Sequence, residues 1–245
     1  MTAAYENAAP YERGAEHLVE VWVFQIDQDD TVVEQLRSTL SQDELARAVR
    51  FLDPAHQHRF IVGRGRLRQI LAHDIGDPPD ALNFTATTAG KPFLRAPMRG
   101  PHFNLSHSGG TAALGVCRTS PLGIDIESVR IVHDGLAQRF FAASEVAELN
   151  SLPETQQQQA FFRCWTRKEA FLKATGEGIA RGLDSFQVAL NPDEPARIKA
   201  IDNSTEAARA WTLLDFDPGP EMLGSIALQV PHARLQLRSF DELIQ

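Results

Sequence analysis

The sequence predicts an α+β fold, laid down as one domain or as two closely packed halves. Three observations point there. At 245 residues and 43% hydrophobic, the chain can bury a substantial core. Short β-branched and aromatic runs sit beside longer stretches with helical periodicity. The halves also end in similar apolar runs, Gly110-Thr-Ala-Ala-Leu-Gly-Val and Gly224-Ser-Ile-Ala-Leu-Gln-Val, a hint of internal duplication.

Residues 1–16 are small, polar and charged, and are expected to form a flexible tail. Leu18 to Ile26 is rich in β-branched and aromatic residues and reads as a strand. Ser41 with Glu44 makes a capping-box pattern opening a helix toward Leu52. Pro54 can start a second helix that runs to about Asp74 and ends near Gly76 and Pro78. A loop with Gly90-Lys91-Pro92 and a Pro-rich stretch leads to Phe103 through Gly110. Thr111 to Cys117 follows as a buried strand, Arg118 to Pro121 as a turn, and Leu122 to Glu127 as a second strand. Helices are expected near Gly135 to Phe141, Ser144 to Asn150 and Glu154 to Thr175. Strands are expected near Phe186 to Leu190, Arg209 to Phe216, Met222 to Val230 and Arg234 to Phe240.

No 18-residue apolar run exists, and Met1 to Glu16 lacks a basic segment followed by a hydrophobic one. A membrane span and a secretory signal are therefore not expected, and the protein reads as cytoplasmic. Cys117 and Cys164 lie in apolar settings and read as buried free thiols. The formal charge of −8 argues against a general nucleic-acid binder. Against that balance, Arg47 to Arg68 carries six arginines and a single acid, Asp53. Such a local inversion suits an anionic ligand as well as it suits a solvated helix face.

Side chains alternate along a strand, so Asp125 and Glu127 share one face while Leu122, Ile124 and Ile126 point into the core. Two like charges about 4 Å apart repel by about 4 kcal/mol at an effective dielectric near 20. A bound cation, a basic partner or a protonated acid relieves this, and hard oxygen ligands favour Mg²⁺. A solvated strand end would explain the pair as well. On the helix at 154–175, Phe161, Phe162, Trp165 and Leu172 form a core-facing stripe. Glu169 falls beside that stripe, and Lys173 stands one turn on; they are either groups facing the strand carboxylates or an ordinary surface pair. Asn104-Leu-Ser-His-Ser-Gly-Gly110 offers hydroxyls, an imidazole and backbone amides that can ring an oxyanion, without the third orienting group of a Ser–His nucleophile.

Gly90-Lys91-Pro92, Phe103-Asn-Leu-Ser-His-Ser-Gly109, Gly123-Ile-Asp-Ile-Glu127, Arg139-Phe-Phe141 and Trp165-Thr-Arg-Lys-Glu-Ala-Phe-Leu-Lys173 occur in one order. Together this set resembles the signature of the Sfp-type 4′-phosphopantetheinyl transferases. The resemblance implies that family's fold: a monomeric, pseudo-two-fold pair of similar α/β subdomains, at 17–120 and 121–245, with the active site in the cleft between them. It implies coenzyme A as co-substrate, and apo carrier proteins of fatty-acid, polyketide or nonribosomal-peptide synthases as partners. Asp125, Glu127 and Glu169 match the Mg²⁺ carboxylates, with Mn²⁺ as an alternative ion. Lys173 matches the lysine on the coenzyme pyrophosphate, and Glu169 is the expected proton acceptor, directly or through water. Lys91, Ser106 and His107 match residues around the 3′-phosphate and adenine; Arg47 and Arg59 match basic contacts, and Asp125 and Lys168 are further positions expected to touch the coenzyme. Glu44 stands where some members carry a base. The segment from Ser128 to Arg139, with Arg130 and Arg139, is a candidate carrier-docking surface. Rival readings are a Mg²⁺-dependent phosphodiesterase and a non-enzymatic coenzyme A-binding module.

Overall fold

The computed structural model describes residues 17–88, 90–96, 100–133 and 135–243. The expected tail at 1–16 lies outside them. The chain runs β1 (His17–Gln25), α1 (Asp30–Arg37), α2 (Gln42–Ala48), α3 (Pro54–Ile75), β2 (Phe84–Ala86), β3 (Pro92–Leu94), β4 (His102–Ser108) and β5 (Thr111–Cys117). It continues through β6 (Leu122–Ser128), α4 (Leu136–Phe140), α5 (Ala143–Ser151), α6 (Glu154–Thr175), β7 (Phe186–Val188), β8 (Ile198–Ile201), α7 (Thr205–Ala208), β9 (Thr212–Phe216), β10 (Met222–Leu228) and β11 (Ala233–Ser239). The fold is α+β, as expected.

Local chemistry sets the helix ends. Asp29 caps α1 by accepting from the Val32 amide, and Ser41 with Glu44 closes the capping box of α2. Both 22-residue helices, α3 and α6, end on a left-handed glycine, Gly76 at φ +88° and Gly176 at φ +71°.

The strands form a four-stranded sheet in the order β11-β1-β5-β4 and a three-stranded sheet in the order β6-β10-β9. Alternation along each strand sorts side chains into layers. Trp22 and Phe24 of β1 and Leu114 and Val116 of β5 pack with Ile61, Leu67, Ile70 and Leu71 of α3. Their alternates, Val19, Val21, Ala113 and Cys117, meet Leu122, Ile124, Ile126, Ile226 and Leu228 between the two sheets. On the outer face of the second sheet, Ala227 packs with Phe171, Leu172 and other residues of α6. The result is helix, sheet, sheet, helix, with each fully buried aliphatic side chain contributing about 1.5–3 kcal/mol.

A boundary at residue 120 follows the chain but not the strand pairing. β11, from the C-terminal half, runs parallel to β1 and completes the first sheet. Cys117 and Cys164 are buried free thiols, as expected. Among the described residues no helix is long and apolar enough to cross a membrane.

Candidate active site

Asp125 and Glu127 lie on the face of β6 that looks toward α6, and Gly123 brings strand and helix together. A Cβ at Gly123 would sit 2.1 Å from the Ala170 carbonyl oxygen and 2.3 Å from the Ala174 nitrogen, so only glycine permits this approach. Glu169 and Lys173 of α6 consequently face the strand carboxylates.

β6 is an edge strand of its sheet and β4 an edge strand of the other. The exposed edge of β6 is closed by side chains of β4. Asn104 Oδ1, Ser106 Oγ and Ser108 Oγ accept from the amides of Ile124, Ile126 and Ser128 at 2.9, 3.4 and 3.1 Å. The two serine hydroxyls then donate to the carboxylates: Ser106 to Asp125 Oδ1 at 2.9 Å and Ser108 to Glu127 Oε2 at 2.9 Å. In the segment read as able to ring an oxyanion, Ser106 and Ser108 are thus engaged with carboxylates. The segment is a strand paired with β5, and its hydroxyls orient carboxylates. The alternation of small polar residues at 104, 106 and 108 was the signal that could have revealed it.

Lys173 Nζ donates to Asp125 Oδ1 at 2.6 Å and to Ser106 Oγ at 3.0 Å. Asp125 is 5% exposed, yet its Oδ2 has no partner among the described residues. Burial pushes the Asp125 carboxyl above its ordinary range, opposed by Lys173 and the Ser106 hydroxyl and reinforced by Glu127. Burial also raises Glu169; the charge of Asp125 adds to this, Lys173 opposes it and Glu127 reinforces it. Among the described residues no three His, Cys, Asp or Glu side chains stand close enough to hold a metal ion as they are. The donor set nevertheless fits a hard divalent cation: a buried carboxylate oxygen lacks a partner, and neighbouring acids repel one another. A cavity of about 240 Å³ opens here, lined by Lys91, Asn104, Glu169, Leu172 and Lys173. A larger surface hollow of about 440 Å³ at Arg47, Arg50 and Phe51 holds none of the carboxylates, so the chemistry favours the smaller one.

His107 faces away from Ser106, on the α3 side of β4, where it is exposed. Partial desolvation lowers its pKa, as do the charges of Lys173, Arg59 and His56, while Glu127 opposes them. Arg59 is bound bidentately by Asp27 at 2.6 and 2.9 Å. Glu44 accepts from Arg64 Nε and Arg68 Nε, each at 2.8 Å. The arginine-rich stretch is thus partly neutralised by acids outside it, while Arg47 remains exposed over the Phe60 ring at 5.2 Å. Arg130 lies 3.0 Å from Glu127, and Arg139 is exposed beside Phe140.

Two lysines of the expected coenzyme set are held by protein groups. Lys168 is fully buried, and its three ammonium hydrogens are committed to the Leu183 and Phe186 carbonyls at 2.7 and 2.6 Å and to Glu145 at 2.7 Å. It has no hydrogen left for a coenzyme, which corrects that assignment. Lys91 Nζ donates to the carbonyls of Leu122 and Lys173, both at 2.7 Å, and burial lowers its pKa to about 8. Sequence reasoning also missed Gly123, the Asn104 and Ser108 supports, Asp27 and Glu145. Each acts through a partner distant along the chain.

The chain is similar to known proteins. The profile of the 4′-phosphopantetheinyl transferase superfamily matches residues 121–230, and that of the 4′-phosphopantetheinyl transferase N-terminal region matches residues 27–118. The chain is 44% identical over 214 residues to the 4′-phosphopantetheinyl transferase HetI of Nostoc sp., covering 86% of this chain and 87% of HetI. It is 28% identical over 213 residues to 4′-phosphopantetheinyl transferase Sfp of Bacillus subtilis, covering 86% and 92%. Among solved structures, the holo-[acyl-carrier-protein] synthase of Thermotoga maritima matches with a TM-score of 0.37 at 16% identity, over 47% of this chain and 64% of that one. The motifs from Gly90 to Lys173, the profile matches on both halves and the extent of the identity to HetI lead to one conclusion: this chain belongs to the Sfp-type 4′-phosphopantetheinyl transferases.

Proposed function

We propose that the chain transfers 4′-phosphopantetheine from coenzyme A to a serine hydroxyl of an apo carrier protein and releases adenosine 3′,5′-bisphosphate. The observation that carries this reading is the open cluster of Asp125, Glu169 and Lys173, with one buried carboxylate oxygen unpartnered and one Lys173 hydrogen uncommitted among the described residues. In the reaction the serine oxygen forms a bond to the phosphorus that bears pantetheine, the bridging P–O bond breaks, and the bond's electrons leave on the nucleotide phosphate.

Lys173 binds the diphosphate and offsets charge growing on the leaving group, worth most in a partly dry cleft. Glu169, with its raised proton affinity, accepts the serine proton. Ser106 and Ser108 hold Asp125 and Glu127 in fixed rotamers, so the site is organised before substrates arrive. His107, in the field of Arg59 and Lys173, suits the 3′-phosphate end of the coenzyme. Asp125, Glu127 and Glu169 would hold Mg²⁺, or Mn²⁺ in its place, which supplies Lewis acidity at the diphosphate.

We further read the two 22-residue helices, one on each sheet, as support for a pseudo-two-fold monomer with the coenzyme between its halves. The exposed segment at Arg130 and Ile131 is offered as the carrier-docking surface. Neither the phosphodiesterase nor the binding-module reading is favoured by the relatives. The test is intact-mass analysis of apo fatty-acid, polyketide and nonribosomal-peptide carriers after incubation with the protein, coenzyme A and Mg²⁺. At least one carrier should gain one phosphopantetheine; no gain on any would contradict the reading.

A further inference from the structure

We propose that Lys91 is a positioning residue: it clamps the start of β6 to the last turn of α6 and so holds Lys173 and Glu169 against Asp125. This deepens the transfer reading and rests on it for its kinetic consequences, while the clamp itself is a matter of structure.

The hairpin of β2 and β3 presents Lys91 in a fixed way. Gly90 takes φ +84°, a conformation suited to glycine, and its amide donates to the Thr87 carbonyl at 2.9 Å. The Lys91 amide donates to Thr87 Oγ1 at 3.1 Å and the Thr87 amide to the Lys91 carbonyl at 2.9 Å. Pro92 then opens β3. Turn, anchor and strand start fix the backbone of Gly90-Lys91-Pro92, residues that also line the cavity beside Glu169 and Lys173.

The two acceptors of Lys91 are also particular. The Leu122 carbonyl belongs to the residue before Gly123, where β6 touches the α6 backbone. The Lys173 carbonyl lies in the last turn of α6, where carbonyls lack intrahelical partners. The helix closes instead through the Gly176 amide on the Leu172 carbonyl, and the Glu177 amide turns to Thr175 Oγ1 at 3.4 Å. A cation at a helix C-terminus is favoured by the helix dipole as well as by the hydrogen bond. One side chain from the first half thus joins the strand that carries Asp125 to the helix that carries Glu169 and Lys173.

The test is Lys91→Met, with Lys91→Arg as the conservative partner. The clamp predicts a fall in kcat of roughly 10- to 100-fold, the scale expected when reacting groups are misplaced by about an ångström. The KM for coenzyme A should change by less than about twofold, and the preference for coenzyme A over dephospho-coenzyme A should stay as in the parent protein. Amide hydrogen exchange at residues 122–128 and 170–177 should quicken in Lys91→Met, and Lys91→Arg should restore part of both signals. A raised KM with intact kcat and a lost preference for coenzyme A would make Lys91 a coenzyme contact and overturn the proposal. Unchanged exchange in Lys91→Met would overturn it as well. If the parent protein modifies no carrier, the transfer reading fails, yet the exchange measurement still decides the clamp.

Discussion

Two lysine–carboxylate pairs flank α6, and they are built oppositely. Lys168 and Glu145 are fully buried and complete: Glu145 also accepts from the Ala142 amide at 2.9 Å and the Val188 amide at 2.7 Å. Lys173 and Asp125 are close as well, at 2.6 Å, but incomplete, with a carboxylate oxygen that has no partner among the described residues and a neighbouring glutamate repelled by the charge of Asp125. The first pair ties α5, α6 and β7 together. The second holds two groups in readiness for a third, and incompleteness at a rigid place is the mark of a binding site.

The widest separation between the pairs should appear on breaking them. Lys168→Met strands a buried carboxylate and is expected to cost about 3–5 kcal/mol of folding stability, read by urea denaturation. A loss below about 1 kcal/mol would mean that the Glu145 pair is not the structural one. By contrast, Asp125→Ala and Glu169→Gln should melt within a few degrees of the parent while transfer falls by about 10²–10³-fold, checked by carrier mass. Full turnover in Asp125→Ala would remove that carboxylate from the mechanism.

A subtler contrast lies in pH. Asp125 and Glu169 bind protons more tightly in the fold than their ordinary values of 3.8 and 4.5 would allow. Their contribution is therefore full at low pH and is lost as pH rises through the window above those values. A divalent cation prefers the ionised carboxylates, so the thermal shift on adding Mg²⁺ should grow as pH is raised above those ordinary values. A shift that is flat across this range would detach the cation from these acids. The smallest effect is at the nucleotide end. His107→Ala should weaken coenzyme A by about tenfold while leaving dephospho-coenzyme A nearly unchanged, read by the ratio of KM values.

The sequence carried the open pair well and the closed pair badly. Strand alternation put Asp125 and Glu127 on one face, and the i,i+4 step put Lys173 one turn from Glu169. Gly176 and Pro153 bracket α6, which spans Glu154–Thr175 as expected. Lys168 shares the same motif, and nothing local says that its partner, Glu145, lies on another helix. β4 escaped notice because its small polar residues lack strand propensity; their role is to serve the edge of β6, a relation between two sheets. The pairing of β11 with β1 and the neutralising of arginines by Asp27 and Glu44 are likewise long-range. Short elements such as α1, β2, β3 and β8 carry too few residues for a clear period.

The most direct trial of the account is Lys173→Met, assayed by intact mass on a carrier that the parent protein modifies and by thermal melting in parallel. The account predicts a folded protein that transfers phosphopantetheine at least about 100-fold more slowly. A folded Lys173→Met that modifies the carrier at the parent's rate would contradict it.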